Sequence, residues 1–216
     1  MSSGRNINVM NTTTGKPEDL RGKRIAILVT DGFEQVELTS PREALRLAGA
    51  ESDIVAPGGG KVKGWQDTHW GDEFDVDVPL QDADPDDYDA LLLPGGVMNP
   101  DDLRRNSDVL EFVKAFFDAG KIVGSICHGP LTLIDAGVAR GRKLTSYESI
   151  QSDLKNAGAD WVDERVVVDH GLVTSRKPDD LPSFNTSFIG EIYHGRPAAP
   201  AAGERVMQEM DKPRTH

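Results

Sequence analysis

The chain has 216 residues, of which 38% are hydrophobic and 28% are charged, and its formal net charge is -12. This length suits one domain with a buried core. The sequence is acidic and contains no basic stripe that could neutralise phosphates, so we expect no nucleic-acid binding. Because the longest apolar stretches are far shorter than the roughly 20 residues that span a bilayer, we expect no membrane association.

The single cysteine, Cys127, cannot form an internal disulfide. Residues 1–22 are polar and lack the apolar centre of a secretory signal. Together these features predict a cytoplasmic protein. We predict an N-terminal extension over residues 1–22, one domain over residues 23–193, and a partly disordered C-terminal extension over residues 194–216.

Strands and helices alternate from the start of this domain. The apolar run at residues 24–30 predicts a buried strand. Residues 40–47 have helical periodicity, with Pro41 in the first turn and Gly49 as the end. A second short strand is predicted over residues 53–56. Alternating apolar residues between Phe74 and Val78 then predict a small exposed hairpin.

The acidic run at residues 82–87 predicts a solvated loop, because Pro85 interrupts it and its carboxylates are not held on a rigid element. We expect no metal site and no cofactor. A third buried strand is predicted over residues 90–93. Residues 107–119 predict an amphipathic helix capped by Ser107.

The second half of the domain continues the alternation. Further strands are predicted over residues 122–126, 143–145, 161–163, 166–169 and 172–175, and further helices over residues 130–136, 149–156 and 180–192. Alternation at this spacing predicts an α/β fold, with a mainly parallel central sheet covered by helices on both faces. Reactive crevices in such sheets lie at the carboxyl ends of the strands.

Cys127 follows the predicted strand at residues 122–126 directly. The small residues Gly124, Ser125 and Gly129 would permit a sharp turn from strand to helix, which is the logic of a nucleophile elbow. A helix beginning at Cys127 would favour its thiolate. The alternative is a buried, inert cysteine; the adjacent histidine, the flanking glycines and the position at a strand end favour a nucleophile.

His128 can face the same crevice because the chain turns at this point, where it could move the proton of the thiol. Its alternative is a capping or surface histidine. Gly95 and Gly96 end the third strand at the same edge of the sheet. The N–H groups of Gly96 and His128 could form an oxyanion hole; alternatively, these glycines only provide an unusual backbone conformation.

Glu34 and Glu37 follow the first strand at this edge and share one face of a helical turn. A carboxyl group near Cys127 could tune the pKa of the thiol, and burial would raise its own pKa. The alternative is a solvent-facing glutamate, which we favour for Glu34 alone.

Several segments together resemble the ThiJ/PfpI family, within the class I glutamine-amidotransferase-like fold. The most specific is Ile-Cys-His-Gly-Pro at residues 126–130. The others lie at residues 31–38, 92–96, 139–145, 166–169 and 174–182. The resemblance is to the branch of intracellular peptidases, general stress proteins and deglycases. It implies a flavodoxin-like three-layer sandwich that assembles into homodimers or larger rings.

The resemblance also implies roles for individual residues. It places the nucleophile at Cys127 and the histidine at His128, with Glu37 in contact with the cysteine. The triad acid, supplied by a neighbouring subunit, falls on Asp101, with Asp102 as the substitute because the loop is one residue longer than usual. Gly95, Gly96 and Gly129 then provide oxyanion or substrate contacts.

Three hypotheses of function follow. The first is a cysteine-dependent hydrolase or deglycase that attacks a small carbonyl or peptide substrate. The second is a redox-sensing or protective stress protein in which Cys127 is oxidised. The third is a binding module with an unreactive Cys127.

The resemblance covers residues 23–192, but the segment at residues 61–73 fits it poorly and could alter the pocket or the subunit contact.

Overall fold

The computed structural model describes residues 18–195. Most of the two predicted extensions, residues 1–17 and 196–216, therefore lies outside the described residues, and their boundaries stay predictions. The α helices are α1 (Gln35–Leu47), α2 (Met98–Leu103), α3 (Ser107–Asp118), α4 (Pro130–Asp135), α5 (Gln151–Asn156) and α6 (Leu181–His194). None of the helices in this part of the chain is long and apolar enough to cross a membrane.

The strands belong to three sheets of different size. They are β1 (Arg24–Leu28), β2 (Phe33–Glu34), β3 (Glu51–Ala56), β4 (Lys61–Gln66), β5 (His69–Asp75), β6 (Val78–Pro79), β7 (Ala90–Leu93), β8 (Ile122–Ile126), β9 (Lys143–Leu144), β10 (Asp160–Trp161), β11 (Val166–Asp169) and β12 (Leu172–Ser175). The central sheet has the order β11-β12-β8-β7-β1-β3-β6. Its neighbours pair in parallel except at β11, which runs antiparallel to β12.

Both faces of the central sheet are covered, which confirms the predicted three-layer α/β architecture. Along β1, Ile25 and Ile27 pack on one face with residues of α1 and α6, including Phe184. Ala26 and Leu28 pack on the other face with residues of α3, α4 and α5. Successive side chains of a strand point to opposite faces, so a strand buried on both sides is apolar throughout.

The parallel strands β1, β7, β8 and β12 all end at one edge of the sheet. The segments after them therefore meet there, as expected for a fold of this kind. Buried Asn99 fastens two of these segments. Its side-chain amide donates to Pro94 O at 2.9 Å and Gly95 O at 3.2 Å, and its oxygen accepts from Thr30 N at 2.8 Å.

Several predicted boundaries are wrong for identifiable reasons. Helix α1 begins at Gln35, five residues before the predicted start, so Pro41 lies inside the helix and not in its first turn. Asn106, not Ser107, caps α3: its side chain accepts from Asp108 N. Helix α2 lies directly after the Pro-Gly-Gly segment, where we predicted only a loop.

The exposed hairpin also lies earlier than predicted. Strands β4 and β5 pair in antiparallel fashion, with the turn at residues 67–68, and β2 pairs with β4 in parallel. Val78 belongs instead to β6, at the edge of the central sheet beside β3. The separate sheet β2-β4-β5 stands over the carboxyl edge of the central sheet, since Gly32 N donates to Lys63 O at 2.8 Å.

Candidate active site

Cys127 lies on a strained turn directly after β8. Its φ angle is 61°, a left-handed conformation that non-glycine residues seldom adopt. Hydrogen bonds on both sides hold this backbone: Cys127 N donates to Ser175 O at 3.0 Å, and Cys127 O accepts from Tyr147 N at 2.9 Å. The sharp turn inferred from the sequence is therefore present, and the backbone fixes where the sulfur lies.

Several polar groups converge on the Cys127 sulfur. The N–H groups of Gly96 and His128 donate to it, and His128 Nδ1 lies 3.2 Å from Sγ. The carboxyl group of Glu37 contacts it from the α1 side. The structure thus brings together four of the residues that we had singled out.

Glu37 is fully buried, with 0% of its surface exposed. Its Oε2 accepts a hydrogen bond of 2.8 Å from Gly95 N, whereas Oε1 has no partner of ordinary hydrogen-bond geometry among the described residues. Burial raises the pKa of Glu37 to about 8, against an ordinary value of 4.5. The carboxyl group is therefore mainly protonated at neutral pH, and it can donate a hydrogen bond towards the sulfur.

The protonation states of Cys127 and His128 also follow from burial. Burial raises the pKa of the Cys127 thiol, and so does a charged Glu37, whereas the N–H groups of Gly96 and His128 lower it. Burial lowers the pKa of His128. Burial thus favours the uncharged forms of both groups, a thiol beside a neutral imidazole, and His128 Nδ1 is placed to accept the thiol proton.

The structure corrects the predicted start of the helix that we expected to favour a thiolate. The helix after the turn, α4, begins three residues later at Pro130 and has only six residues. The dipole of so short a helix acts only near its first turn. The groups that lower the pKa of the thiol, against the effect of burial, are instead the two N–H groups that donate to the sulfur.

Ser149 and Tyr147 orient the His128 ring. His128 Nε2 lies 3.0 Å from Ser149 Oγ, and the ring stacks on Tyr147 at a centroid distance of 4.9 Å and an angle of 23°. If Nε2–H donates to the serine, Nδ1 has its lone pair free to take the thiol proton. Sequence reasoning missed both residues, because they reach the site by a contact between distant parts of the chain.

The three glycines of the sequence analysis differ in what their backbone does. Gly96 N–H donates to the sulfur, as described above. Gly95 N–H is engaged by Glu37, and Gly129 N–H donates to Ile126 O at 2.8 Å. Gly95 and Gly129 therefore offer no free N–H group to a substrate oxygen, which narrows the candidate oxyanion donors to Gly96 and His128.

Asp101 lies on α2 with its side chain exposed, and neither hydrogen bond of the His128 ring within residues 18–195 goes to it. Asp102 is also exposed and pairs with Arg105 at 3.6 Å. The described chain thus supplies Ser149, not a carboxylate, to His128. A role for Asp101 or Asp102 requires a second subunit and stays a prediction.

A pocket of about 520 Å³ opens above the sulfur. The loop after β1, α2, the β4–β5 hairpin and the segments at Tyr147 and Pro178 form its walls. Its lining consists of Gly32, Glu34, Glu37, Trp65, Asp67, Gly96, Val97, Met98, Cys127, His128, Tyr147 and Pro178. No group of three His, Cys, Asp or Glu side chains in the described part of the chain is arranged to hold a metal ion.

The hairpin forms one wall and is fastened to the start of α1. Gln35 Oε1 accepts from Asp72 N at 2.6 Å, and Gln35 Nε2 donates to Asp72 Oδ2 at 2.8 Å. Gly64 and Gly71 leave room for this side chain, since a Cβ at Gly71 would lie 2.0 Å from Gln35 Oε1. The sequence did not indicate that the hairpin lines the pocket, because polar contacts between distant residues place it there.

The sequence of this chain is similar to those of several known proteins. Residues 23–191 match the DJ-1/PfpI family. General stress protein 18 of Bacillus subtilis is 48% identical over 166 residues, which are 76% of this chain and 94% of that protein. Putative cysteine protease YraA of the same organism is 47% identical, covering 76% and 94%. Protein/nucleic acid deglycase 2 of Escherichia coli is 48% identical over 165 residues, again covering 76% and 94%.

Solved structures of other proteins have a fold similar to that of this chain. Drosophila melanogaster DJ-1beta superposes with a TM-score of 0.73 at 29% identity, covering 80% of this chain and 91% of that one. A two-domain protein of Anabaena variabilis, with DJ-1/ThiJ/PfpI-like and ferritin-like domains, gives a TM-score of 0.75 at 36% identity. That match covers 85% of this chain but only 51% of the longer protein.

Proposed function

This chain belongs to the DJ-1/PfpI family, and we propose that it is a cysteine-dependent enzyme of the hydrolase or deglycase type, in which Cys127 attacks a substrate carbonyl. The observation that carries the proposal is the convergence of His128 Nδ1, two N–H groups and Glu37 on one sulfur at the bottom of a pocket. The names of the relatives, a deglycase and a putative cysteine protease, support the same chemistry.

The first step is addition of the sulfur to the carbonyl. As the bond between Sγ and the carbonyl carbon forms, the thiol proton moves to His128 Nδ1 and the carbonyl π electrons move to the oxygen. The N–H groups of Gly96 and His128, which donate to the sulfur in the resting site, can stabilise this oxyanion. His128 then returns its proton to the oxygen or to the leaving amine.

A homo-oligomer would complete this site. Asp101 projects from α2, next to exposed Val97 and Met98, so a second copy packed on this surface could bring its Asp101 towards His128. A carboxylate near the ring would stabilise the imidazolium that forms during attack. Asp102 remains the alternative acid.

The test of the proposed function is turnover of methylglyoxal adducts of amines, followed as release of the free amine, together with a peptide substrate. We expect Cys127→Ala to abolish both activities, because no other thiol exists in the chain. Asp101→Ala should reduce turnover less than Cys127→Ala does. Unchanged turnover in Cys127→Ala would sink the proposal, and a larger loss in Asp101→Ala would contradict the roles assigned.

A second candidate is a redox-sensing protein, favoured by the buried carboxyl group of Glu37 that contacts the sulfur. Two equivalents of peroxide would convert the thiol to a sulfinic acid with release of two waters, and a protonated Glu37 could donate to the new oxygen. Intact-mass measurement after mild peroxide treatment distinguishes the candidates. A selective gain of two oxygens that Cys127→Ser abolishes supports sensing, and an unmodified mass excludes it.

A further inference from the structure

The described residues that line the pocket include acidic side chains but no Lys or Arg. Of the twelve residues within the described part of the chain that line it, none is Lys or Arg, whereas Glu34, Glu37 and Asp67 carry carboxyl groups. Glu37 lies at the bottom beside the sulfur and holds its proton at neutral pH, as shown above. Glu34 and Asp67 lie farther out, between the start of α1 and the turn of the hairpin. The outer pocket therefore presents two acidic groups with no basic side chain among its lining residues.

Neither of these outer carboxyl groups forms an ion pair within residues 18–195. Glu34 is partly buried, and burial together with the charge of Asp67 raises its pKa. Two like charges in the same wall of a pocket repel each other. A cation between them would remove this repulsion, and an anion would add to it.

Trp65 lines the pocket together with the two acids. It is the register partner of Glu34 in the pairing of β2 with β4. Its Nε1–H donates to Asp67 O at 2.9 Å, and Trp70 packs against the ring edge to face at 80° and 5.4 Å. The ring is thus held in place without using the acidic side chains. A fixed indole beside two carboxylates is an arrangement that attracts ammonium and guanidinium groups.

The bottom of the pocket offers a further polar group to a ligand. Glu37 Oε1 is fully buried and has no hydrogen-bond partner among the residues described. A carbonyl or hydroxyl oxygen held above the sulfur could accept its proton. The pocket thus combines a polar inner end, suited to the reacting carbonyl, with an acidic and aromatic outer end.

We propose that Glu34, Asp67 and Trp65 form a subsite for a cationic group of the substrate. The subsite selects carbonyl adducts carried next to an ammonium or guanidinium group, as on a basic peptide, over adducts carried by phosphate-bearing molecules. The inference rests on the proposed attack of Cys127 on a carbonyl, and it adds the class of substrate that the pocket accepts.

The first experiment measures the charge preference of Cys127 without any carbonyl substrate. Two methanethiosulfonate reagents, one with a trimethylammonium group and one with a sulfonate, react alike: the sulfur forms a disulfide and methanesulfinate leaves. Their rates at Cys127 are each divided by the rate with a free small thiol. We expect the cationic reagent to be favoured, and Asp67→Asn or Glu34→Gln to reduce the ratio of the two rates by about fivefold each.

Asp75→Asn is the matched control, because it removes the same charge from the same hairpin at a side chain that is 84% exposed and does not line the pocket. It should leave the ratio unchanged. A ratio near one in the unmodified protein, or an equal fall in all three variants, would overturn the subsite while leaving the proposed function intact. A thiol that reacts with neither reagent would count against the proposed function itself.

The second experiment tests the subsite where no thiol chemistry is possible. In Cys127→Ser, we expect Nα-acetylargininamide to shift the NMR signal of the Trp65 indole N–H. Nα-acetylcitrullinamide has nearly the same shape but no charge, so it should shift the signal at least fivefold less at equal concentration. Asp67→Asn should abolish this difference. Equal shifts with both compounds would refute the cation subsite.

Discussion

The bottom of the pocket and its hairpin wall are held by different sheets. At the bottom, Cys127 follows a strand of the central sheet, and its backbone is hydrogen-bonded to neighbouring segments on both sides. In the wall, strands β4 and β5 belong to a separate small sheet, which is joined to the start of α1 by backbone contacts of Gly32 and β2 and by the side chain of Gln35. The difference indicates that the position of the sulfur is set by the central sheet, whereas the shape of the pocket above it also depends on a few contacts of the small sheet.

The same difference explains what the sequence could predict. The buried strands, the glycines after them and the Cys-His pair are local patterns, so the fold class and the turn at Cys127 followed from sequence alone. The start of α1 was missed because Pro41 resembles a first-turn proline. In the structure Pro41 lies buried inside the helix, although it cannot donate the backbone hydrogen bond of its turn.

Contacts between distant residues could not be predicted. Ser149 reaches the His128 ring from 21 positions away, and Gln35 reaches Asp72 from 37 positions away. No periodicity in the sequence marks such pairs, because only the assembled fold brings them together. Asp101 differs again, since its predicted role depends on a second subunit.

Gly96 joins the two regions, and we expect the largest effect from Gly96→Ala. Its φ angle is +79°, and a Cβ would lie 2.5 Å from Gly32 O and 2.7 Å from Glu34 N. Both neighbours are backbone atoms of the segment that carries the hairpin, so neither can move away alone. We expect a loss of roughly 3 kcal/mol in the free energy of unfolding, measured by urea denaturation, with loss of turnover.

Gly137→Ala is the matched control for that variant. Gly137 also has a positive φ angle, +73°, but a Cβ there would have no atom of residues 18–195 within 4 Å. It should cost about 1 kcal/mol through backbone strain alone and leave turnover unchanged. If both variants lose the same stability, the contact between Gly96 and the wall segment is not what holds the two regions together.

The buried acid at the bottom of the pocket gives the next largest effect, in Glu37→Gln. Native Glu37 keeps its proton up to about pH 8, whereas the unfolded chain releases it near the ordinary value of 4.5. The native state therefore binds more protons within this window, and its stability falls as pH rises, by up to about 1.4 kcal/mol per pH unit. The glutamine cannot titrate, so this part of the pH dependence should disappear.

The measurement is the free energy of unfolding at about pH 6.0 and 7.5 for both proteins. We expect the stability of Glu37→Gln, relative to that of the unmodified protein, to rise by about 2 kcal/mol between the two values. Other ionisable groups are common to both proteins, so their contributions cancel in the difference. An equal change in the free energy of unfolding of both proteins between the two pH values would show that Glu37 is already ionised in the native state.

The smallest effect is expected in the wall itself, from Gln35→Ala. This change removes both hydrogen bonds to Asp72 and leaves a space beside Gly64 and Gly71. Because these bonds are exposed, the loss of global stability should be about 1 kcal/mol. The hairpin amides should exchange faster with solvent, and KM should rise while kcat stays constant, because the bottom of the pocket does not depend on Gln35.

Gln151→Ala separates this effect from the general cost of losing a glutamine, since Gln151 begins α5 as Gln35 begins α1 but its side chain forms no hydrogen bond to the hairpin within residues 18–195. Its hairpin exchange and its KM should match those of the unmodified protein. A fall in kcat in Gln35→Ala, with KM unchanged, would mean that the wall also positions the groups around the sulfur. The bottom of the pocket would then not be set by the central sheet alone, because the small sheet would hold Glu37 and Gly96 in place through the start of α1.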